Sequence, residues 1–214
     1  MSAMYVPDYF KPDDDAVREL LRNHGAVDLI TATPAGLMAT MLPMIFVEGL
    51  DGRPDRLLGH VARKNDQWRQ AVLGEALVII RGPDAYITPA WYATKREHGR
   101  VVPTWNYITA HVHGELVVHD DPAWLEVNVR QLTEKHEAAR DEPWSVDDAP
   151  EKYVAGQLRA IVGLELVISR IAAKFKLSQN RSAEDVGGVV TGLAEQGRAD
   201  MSESVRTAAQ DQRR

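Results

Sequence analysis

The sequence has no cysteine among its 214 residues. Disulfides, thiolate metal sites and cysteine nucleophiles are therefore excluded, and the absence fits a reducing compartment, so we predict a cytoplasmic protein. No stretch approaches the roughly 20 consecutive apolar residues that cross a bilayer. The N-terminal residues also lack the cationic and apolar pattern of a secretory signal. We therefore expect no membrane attachment.

Familiar catalytic and nucleotide-binding motifs are also missing. The sequence contains no GxGxxG and no GxxxxGK[ST], which argues against a Rossmann dinucleotide site and a P-loop. It contains no GxSxG elbow of a serine hydrolase. The formal net charge is -6, and no helix-turn-helix signature or basic helix is visible. DNA binding stays possible but has no support in the sequence, and a bound phosphate would need side-chain cations.

Strand-like segments dominate the middle of the chain. Their number, and the few helices between them, predict an antiparallel β-barrel with helices on its outside, a mainly β fold with peripheral helices. We predict one domain over residues 1–196, followed by a polar tail over 197–214 that is frayed or is helical only on contact with a partner surface. The expected strands are 26–33, 37–47, 55–62, 76–82, 101–120 and 161–177, and the expected helices are 13–24, 122–140, 150–160 and 183–196.

The segment from Tyr86 to Tyr107 concentrates side chains that suit ligand binding. It contains Trp91 and Trp105, three tyrosines and the charged cluster KREHGR at 95–100. Loops on rigid scaffolds are where binding residues concentrate. We interpret this segment as one wall of a ligand site.

Two groups of polar residues follow predicted strands and are candidates for anion binding. Arg63 and Lys64 are adjacent where GHVARKN leaves the third strand, and KFKLSQNR at 174–181 follows the last one. Arginine can bind a phosphate with two hydrogen bonds, and lysine supplies a compact charge. For Arg63 and Lys64 a plainer interpretation, a solvated basic pair, is equally open. For residues 174–181 the plainer interpretation, a polar strand exit, is somewhat favoured.

His111 and His113 are two residues apart on a predicted strand, so both rings lie on one face. Some metal sites gather their first two ligands in this way. No acidic residue follows with ligand spacing, and we therefore predict no metal site.

Several strings together resemble the PaiB family, the FMN-binding negative transcriptional regulators. They are MYVPDYF (4–10), GHVARKN (59–65), GPDAYITPAWY (82–92), KREHGRVVPTWNY (95–107), HVHG (111–114) and KLSQNR (176–181). The resemblance runs in collinear order over about residues 4 to 195. It implies a split β-barrel with Greek-key topology, similar to pyridoxamine-phosphate oxidases, and a homodimer with FMN in clefts at the subunit interface.

The resemblance also implies roles for individual residues. Arg63 and Lys64 would bind the phosphate, Thr40 and Pro43 would lie beside the isoalloxazine, and His60 is a nearby acid or base candidate. The late-strand donors Lys176 and Ser178 would close over the cofactor. The flavin cleft would also include Trp105, Asn106 and Tyr107. Met41 and Asp84 stand at positions that are commonly histidine in the family, so redox tuning or FMN affinity is expected to differ.

For function, the resemblance implies a negative transcriptional regulator that acts as a homodimer. One alternative is a flavin-dependent oxidoreductase in which FMN accepts electrons from a nicotinamide donor. Another is a haem-binding split-barrel protein with His60, His111 or His113 as the axial ligand. Whether the protein is an enzyme stays open at this point.

Overall fold

Residues 4–211, the part that the computed structural model describes, form six strands and six α-helices. The strands are β1 (Ala26–Thr33), β2 (Gly36–Val47), β3 (Arg56–Ala62), β4 (Ala76–Ile87), β5 (Thr104–His119) and β6 (Ile161–Lys176). The helices are α1 (Asp14–Asn23), α2 (Thr94–Glu97), α3 (Pro122–Glu137), α4 (Glu151–Leu158), α5 (Ala183–Glu195) and α6 (Ala199–Asp211).

The strands are hydrogen-bonded in the order β1-β2-β3-β6-β5-β4, and the barrel closes where β1 pairs with β4. The pairs β1–β2, β1–β4, β2–β3 and β3–β6 are antiparallel. Leu29 faces Thr40 across the first hairpin, and Leu58 faces Glu165 across β3 and β6. The predicted mainly β fold, an antiparallel barrel with additional helices, is confirmed.

The described chain divides into two compact units. Unit 1 contains residues 4–17, 81–110 and 172–211, and unit 2 contains residues 18–80 and 111–171. The single domain over 1–196 stays a prediction. The first three residues of the predicted domain and the last three of the predicted tail, 1–3 and 212–214, lie outside the described residues.

Unit 2 owes its core to the alternation of its strands. In β1 every second residue is buried, among them Val27 and Leu29, because successive side chains of a strand point to opposite faces. Helix α3 begins after Asp121, whose side chain accepts a hydrogen bond from the backbone N–H of Trp124 at 3.0 Å. The apolar side of α3 then packs against β2 and β3, with Leu132 in a cluster with Ile45 and Leu58.

Unit 1 has a core of its own, formed by α5, α6 and the chain around Tyr92. Ser182 caps α5 by accepting a hydrogen bond from the N–H of Asp185 at 3.2 Å. Tyr92, Val189, Leu193 and Met201 are each at most 1% exposed. No helix within residues 4–211 has both the length and the apolar character that a membrane span requires.

The C-terminal segment differs from the prediction. Residues 199–211 form α6 rather than a polar tail, and Met201 and Val205 are fully buried against the core of unit 1. Val205 follows Met201 by four residues and Ala208 follows Val205 by three, a spacing that places all three on one side of a helix. The prediction weighed the polar residues of this segment and overlooked that sparse apolar spacing.

Candidate functional site

Thr40 lies in a closed hydrogen-bond network in unit 2. Its hydroxyl donates to Oε1 of Gln67 at 2.5 Å and accepts from Nδ2 of Asn65 at 3.0 Å. The amide of Gln67, only 2% exposed, donates to the carbonyl of Leu29 and to the hydroxyl of Thr31. Buried polar groups of this kind are stable only when they are paired. The network therefore fixes the chain where β3 ends and orients Thr40.

Arg63 is occupied by its own chain. The guanidinium donates to the carbonyls of Arg159 at 2.8 Å and Ile161 at 3.0 Å, and pairs through two nitrogens with the carboxylate of Asp120. These hydrogen bonds raise the pKa of Arg63 and lower the pKa of Asp120. Arg63 thus fastens the end of β3 to the segment that precedes β6.

Lys64 differs from its neighbour. Its side chain is exposed and, within residues 4–211, has no hydrogen bond or ion pair. The rigid neighbours on either side, Arg63 and the Asn65–Gln67 network, hold the backbone that carries it. The two adjacent cations that the sequence presents as equivalent are therefore unequal: Arg63 is committed to the fold, and Lys64 is available to a ligand.

His60 is directed into unit 2. Its Nδ1 lies 3.3 Å from Oδ1 of Asn128, a residue that is 1% exposed. Burial lowers the pKa of His60, and the hydrogen bond with Asn128 opposes that shift. Within the described part of the chain, Nδ2 of Asn128 has no acceptor. His60 is therefore a neutral side chain in a structural pair at neutral pH.

The outward face of β2 is apolar. Leu37 and Met41 are 79% and 73% exposed, and Ala39 and Pro43 between and beyond them are exposed as well. The alternate residues of the strand, such as Leu42, point into the barrel. Outward strand positions that face water are usually polar. This β2 face, defined by Leu37, Ala39, Met41 and Pro43, is thus an apolar surface in a single chain.

Trp105 forms a half-exposed aromatic surface in unit 1. Its indole N–H donates to Oδ1 of Asp84 at 3.1 Å, and the ring of Tyr86 lies 6.1 Å away, centroid to centroid. Trp105 is 48% exposed and Tyr86 is 49% exposed. Asp84, one of the two positions at which this sequence departs from the family pattern, therefore sets the orientation of Trp105.

Asn106 and Ser178 form a buried pair beside that surface. Nδ2 of Asn106 donates to the hydroxyl of Ser178 at 2.9 Å, and the two residues are 1% and 3% exposed. Ser178 has a positive φ of 66°, a conformation that costs energy for a residue with a Cβ. Oδ1 of Asn106 is buried and has no donor within residues 4–211. An acceptor kept unpaired in this way is suited to a ligand N–H.

Lys176 lies next to the pair. Its ammonium donates to the carbonyl of Trp105 at 2.9 Å and to the hydroxyl of Thr104. Burial lowers its pKa, and the charges of Lys174 and Arg181 add to the shift. Lys174 also lies 5.7 Å from the centroid of the Tyr107 ring. Three cations close together make this part of unit 1 attractive to anions.

The aromatic segment, residues 86–107, is attached to α5 by hydrogen bonds and close packing. The carboxylate of Asp185, 2% exposed, accepts hydrogen bonds from the N–H of Thr94 at 3.0 Å and from its hydroxyl at 2.8 Å. Trp91 lies against Gly188 and Gly192, where any side chain would collide with it. Asp185 and Asp84 were not expected as site residues, because their partners lie far away in the sequence.

His113 forms a hydrogen bond with an arginine side chain. Its Nδ1 accepts a hydrogen bond from Arg170 at 2.9 Å, and burial, followed by the charge of Arg170, lowers its pKa. Burial also lowers the pKa of His111. Within residues 4–211, no three or more His, Asp or Glu side chains are grouped as metal ligands.

Comparison with known protein families shows to which family the chain belongs. A family model described as "Putative FMN-binding domain" matches residues 4–170. The chain belongs to this family. FMN is accordingly the cofactor, and the resemblance seen in the sequence is confirmed. A curated relative, "Protease synthase and sporulation protein PAI 2" of Bacillus subtilis, is 33% identical over 195 residues and is matched over 89% of each chain.

Two solved structures share the fold. The conserved hypothetical protein Rv2991 from Mycobacterium tuberculosis superposes with a TM-score of 0.58 at 11% identity, over 84% of this chain and 94% of that one. The flavocytochrome Anf3 from Azotobacter vinelandii gives a TM-score of 0.56 at 12% identity, over 86% and 78%. At such identities the likeness shows the fold alone, a split barrel with additional helices.

The predicted cofactor residues of each unit, taken separately, carry groups that suit FMN. FMN combines a dianionic phosphate with a flat ring system that has both an imide N–H and carbonyl acceptors. The unpaired Oδ1 of Asn106 is an acceptor for such an N–H, Trp105 and Tyr86 are exposed rings, and Lys64 and Lys176 are cations. Pro43 and Tyr107 add apolar and aromatic surface. Bound FMN would supply reversible electron acceptance.

Proposed function

We propose that the protein is a PaiB-type homodimer that binds FMN and acts as a negative transcriptional regulator. The observation that carries the proposal is that ionisable side chains of the predicted site are already hydrogen-bonded to neighbouring protein groups. Within residues 4–211, Arg63, His60 and Lys176 are each engaged by neighbouring protein groups. Ionisable side chains that are engaged in this way are poorly placed to transfer protons during turnover, which favours a binding role. The name of the Bacillus relative, which mentions sporulation, supports a regulatory role.

The test of the regulatory role is a gel shift on DNA of the gene's own upstream region, with FMN-loaded and FMN-depleted protein. We expect a complex that depends on FMN and weakens as salt rises, because phosphate contacts release counterions. A shift of equal strength on unrelated DNA, or none in either form, contradicts the regulator.

A flavin-dependent oxidoreductase is the second candidate, and the half-exposed ring of Trp105 favours it, because a nicotinamide or another flat substrate could stack there. Anaerobic mixing with NADH and with NADPH distinguishes the two. Rapid bleaching of the flavin absorbance supports the enzyme, and a stable oxidised spectrum supports the regulator. A Soret band in the same spectrum would instead support haem binding.

We further propose that Lys64 contacts the FMN phosphate and that Arg63 positions it. Lys64→Ala is expected to weaken FMN binding about 10- to 100-fold, because a charged hydrogen bond contributes roughly 1.5 to 3 kcal/mol. Its melting temperature without FMN should not change, since Lys64 makes no hydrogen bond or ion pair within the described chain. Calorimetric titration with FMN measures the affinity.

The controls for this variant are Lys152→Ala, which removes an exposed lysine of α4, and Arg63→Ala. We expect Lys152→Ala to bind FMN like the wild type. Arg63→Ala should lose stability as well as affinity, because it leaves Asp120 and two carbonyls without their donor. An unchanged FMN affinity in Lys64→Ala would refute its assignment to the phosphate.

For the homodimer, the β2 face is the proposed contact. Met41→Asp is expected to convert the dimer into monomers of 23.8 kDa, because a buried, unpaired carboxylate is costly at an apolar interface. Light scattering after size-exclusion chromatography measures the mass. Leu50→Asp is the matched control, since Leu50 is 72% exposed in a turn outside this face. A Met41→Asp variant that stays dimeric moves the interface elsewhere.

A further inference from the structure

An open cavity of about 770 Å³ lies in unit 1 and contains none of the predicted FMN residues. Its floor is apolar and is formed by Ile108, Phe175, Leu177 and Ala208. Binding pockets for small organic molecules typically measure about 300 to 1,000 Å³ and have mainly apolar linings. The cavity therefore has the size and floor of a ligand site.

The wall of the cavity is acidic. Four carboxylates line it, and the only cation among its lining residues within the described chain is Lys11. The carboxylate residues are Asp13, Asp200, Glu203 and Asp211. This excess of negative charge disfavours FMN, whose phosphate would be repelled. It is complementary to a ligand with a positive charge.

The four carboxylates are not equally available. Asp13 caps α1 by accepting from the N–H of Ala16 at 2.7 Å, and Glu203 pairs with Arg206. Within the described part of the chain, the carboxylate of Asp200 accepts only a local hydrogen bond, from the N–H of Met201. The carboxylate of Asp211 has no hydrogen bond or ion pair within residues 4–211. Asp200 and Asp211, near the two ends of α6, are therefore the groups that can meet a ligand cation.

Tyr9 adds an aromatic group to the same wall. It is 50% exposed, and its ring contacts Phe10 edge to face at a centroid distance of 4.4 Å. A half-exposed tyrosine ring attracts cations through its π face. An apolar floor, an aromatic ring and carboxylates that have no ion pair within residues 4–211, Asp200 and Asp211, together match a molecule with an apolar body and a positively charged nitrogen.

We propose that this cavity binds an amphipathic organic cation, an amine with an aromatic or alkyl body. The apolar body packs on Phe175 and Leu177, and the ammonium group is held by one of two carboxylates, Asp200 or Asp211, which lie about 16 Å apart near the two ends of α6. The proposal goes beyond FMN binding and does not depend on it. Leu177 does lie between Lys176 and Ser178 in the sequence, so FMN affinity is measured in every cavity variant.

The test uses two probes with the same ring and opposite charge, 2-naphthylmethylammonium and 2-naphthylacetate, titrated into FMN-loaded protein and followed by calorimetry. We expect saturable binding of the ammonium probe and binding of the carboxylate probe that is at least about tenfold weaker. Equal binding of both probes, or binding of neither, would overturn the proposal.

Two variants locate the binding. Ala208→Trp fills the cavity and should abolish uptake of the ammonium probe while FMN binding is retained. Asp200→Asn with Asp211→Asn should weaken the ammonium probe about tenfold and strengthen the carboxylate probe. Glu151→Gln with Glu195→Gln is the control, because it makes the same change in net charge at exposed residues of α4 and α5.

Each result decides the question. If Ala208→Trp binds the ammonium probe as tightly as the wild type, the probe binds elsewhere and the proposal is overturned. An equal loss of affinity for the ammonium probe in the Asp200→Asn, Asp211→Asn variant and in its control also overturns it. If neither probe binds and Ala208→Trp lowers the molecular mass in solution, the cavity holds part of a second copy rather than a small cation. If a variant loses FMN binding but still binds the ammonium probe with unchanged affinity, the result bears on the proposed FMN site and not on this cavity.

Discussion

Gly188→Ala is expected to destabilise the protein by about 3 kcal/mol, near the upper end of the usual cost of overpacking. A Cβ on Gly188 would lie 2.0 Å from the carbonyl oxygen of Trp91, a backbone atom that cannot turn away. Either α5 or the segment around Trp91 must then shift. Because Trp91 lies just before Thr94, which Asp185 binds through two hydrogen bonds, the shift would also reach the rest of the segment from Tyr86 to Tyr107.

Gly187→Ala is the matched control for this prediction. The two glycines are neighbours in the same helix, but a Cβ on Gly187 meets no atom within 4 Å. Alanine inside a helix is favoured over glycine by about 0.5 to 1 kcal/mol. Urea unfolding should therefore show the variants changing stability in opposite directions. A Gly188→Ala protein as stable as Gly187→Ala would mean that Trp91 is not packed on α5 in solution.

Acidification from pH 7 to pH 4 is expected to cost about 3 kcal/mol of unfolding free energy through His24 alone. Burial, assisted by the nearby charges of Lys135 and His136, lowers the pKa of His24 from 6.5 to about 4. Below pH 6.5 the unfolded chain takes up a proton that the folded protein accepts only near pH 4. Stability is therefore complete above about pH 6.5 and falls as the pH drops through this window.

The surroundings of His24 explain the low pKa. Its side chain is 4% exposed, and its Nδ1 lies 2.5 Å from the carbonyl oxygen of Leu21, to which it donates. Its Nε2 is buried and makes no hydrogen bond within the described residues. Interactions with the backbone of Leu21 and Met44 favour the protonated ring, but burial outweighs them. The ammonium of Lys135 donates to the carbonyl of His24 at 3.1 Å and adds repulsion.

Urea unfolding at several pH values tests this account on wild type and His24→Gln. The absolute stability of His24→Gln should be lower, but its decline toward pH 4 should be smaller than that of the wild type by about 3 kcal/mol. His98→Gln removes an exposed histidine and controls for the substitution. His60, whose pKa burial also lowers, contributes in the same direction and is common to all three proteins. Parallel declines in wild type and His24→Gln would contradict the prediction.

Much of the fold follows from local patterns in the sequence. Strand β1 was predicted with the boundaries it has, because alternating apolar residues and the turn after Thr33 define it. Strand β5 was predicted to begin at residue 101 but begins at Thr104, directly after Pro103, which has no N–H to donate. Helix α6 was missed because its apolar residues are few and become informative only when a partner surface is known.

The site was less predictable than the fold. The pair of Asn106 with Ser178 and the contact of Lys176 with Trp105 bring together residues that the resemblance assigned to the flavin cleft. The ion pair of Arg63 could not be predicted from the sequence, because its partner Asp120 is 57 residues away. The same holds for Asp84, which became a partner of Trp105 only through the pairing of distant segments.

Calorimetric titration of FMN into protein from which flavin has been removed is the most direct test of the central claim. The account predicts saturable uptake of one FMN per chain, with a rise in melting temperature that matches the measured affinity. A ligand at about 100 times its dissociation constant adds roughly 2.7 kcal/mol to the free energy of unfolding. A folded protein that takes up no FMN at any concentration, and whose melting temperature FMN does not change, would contradict it.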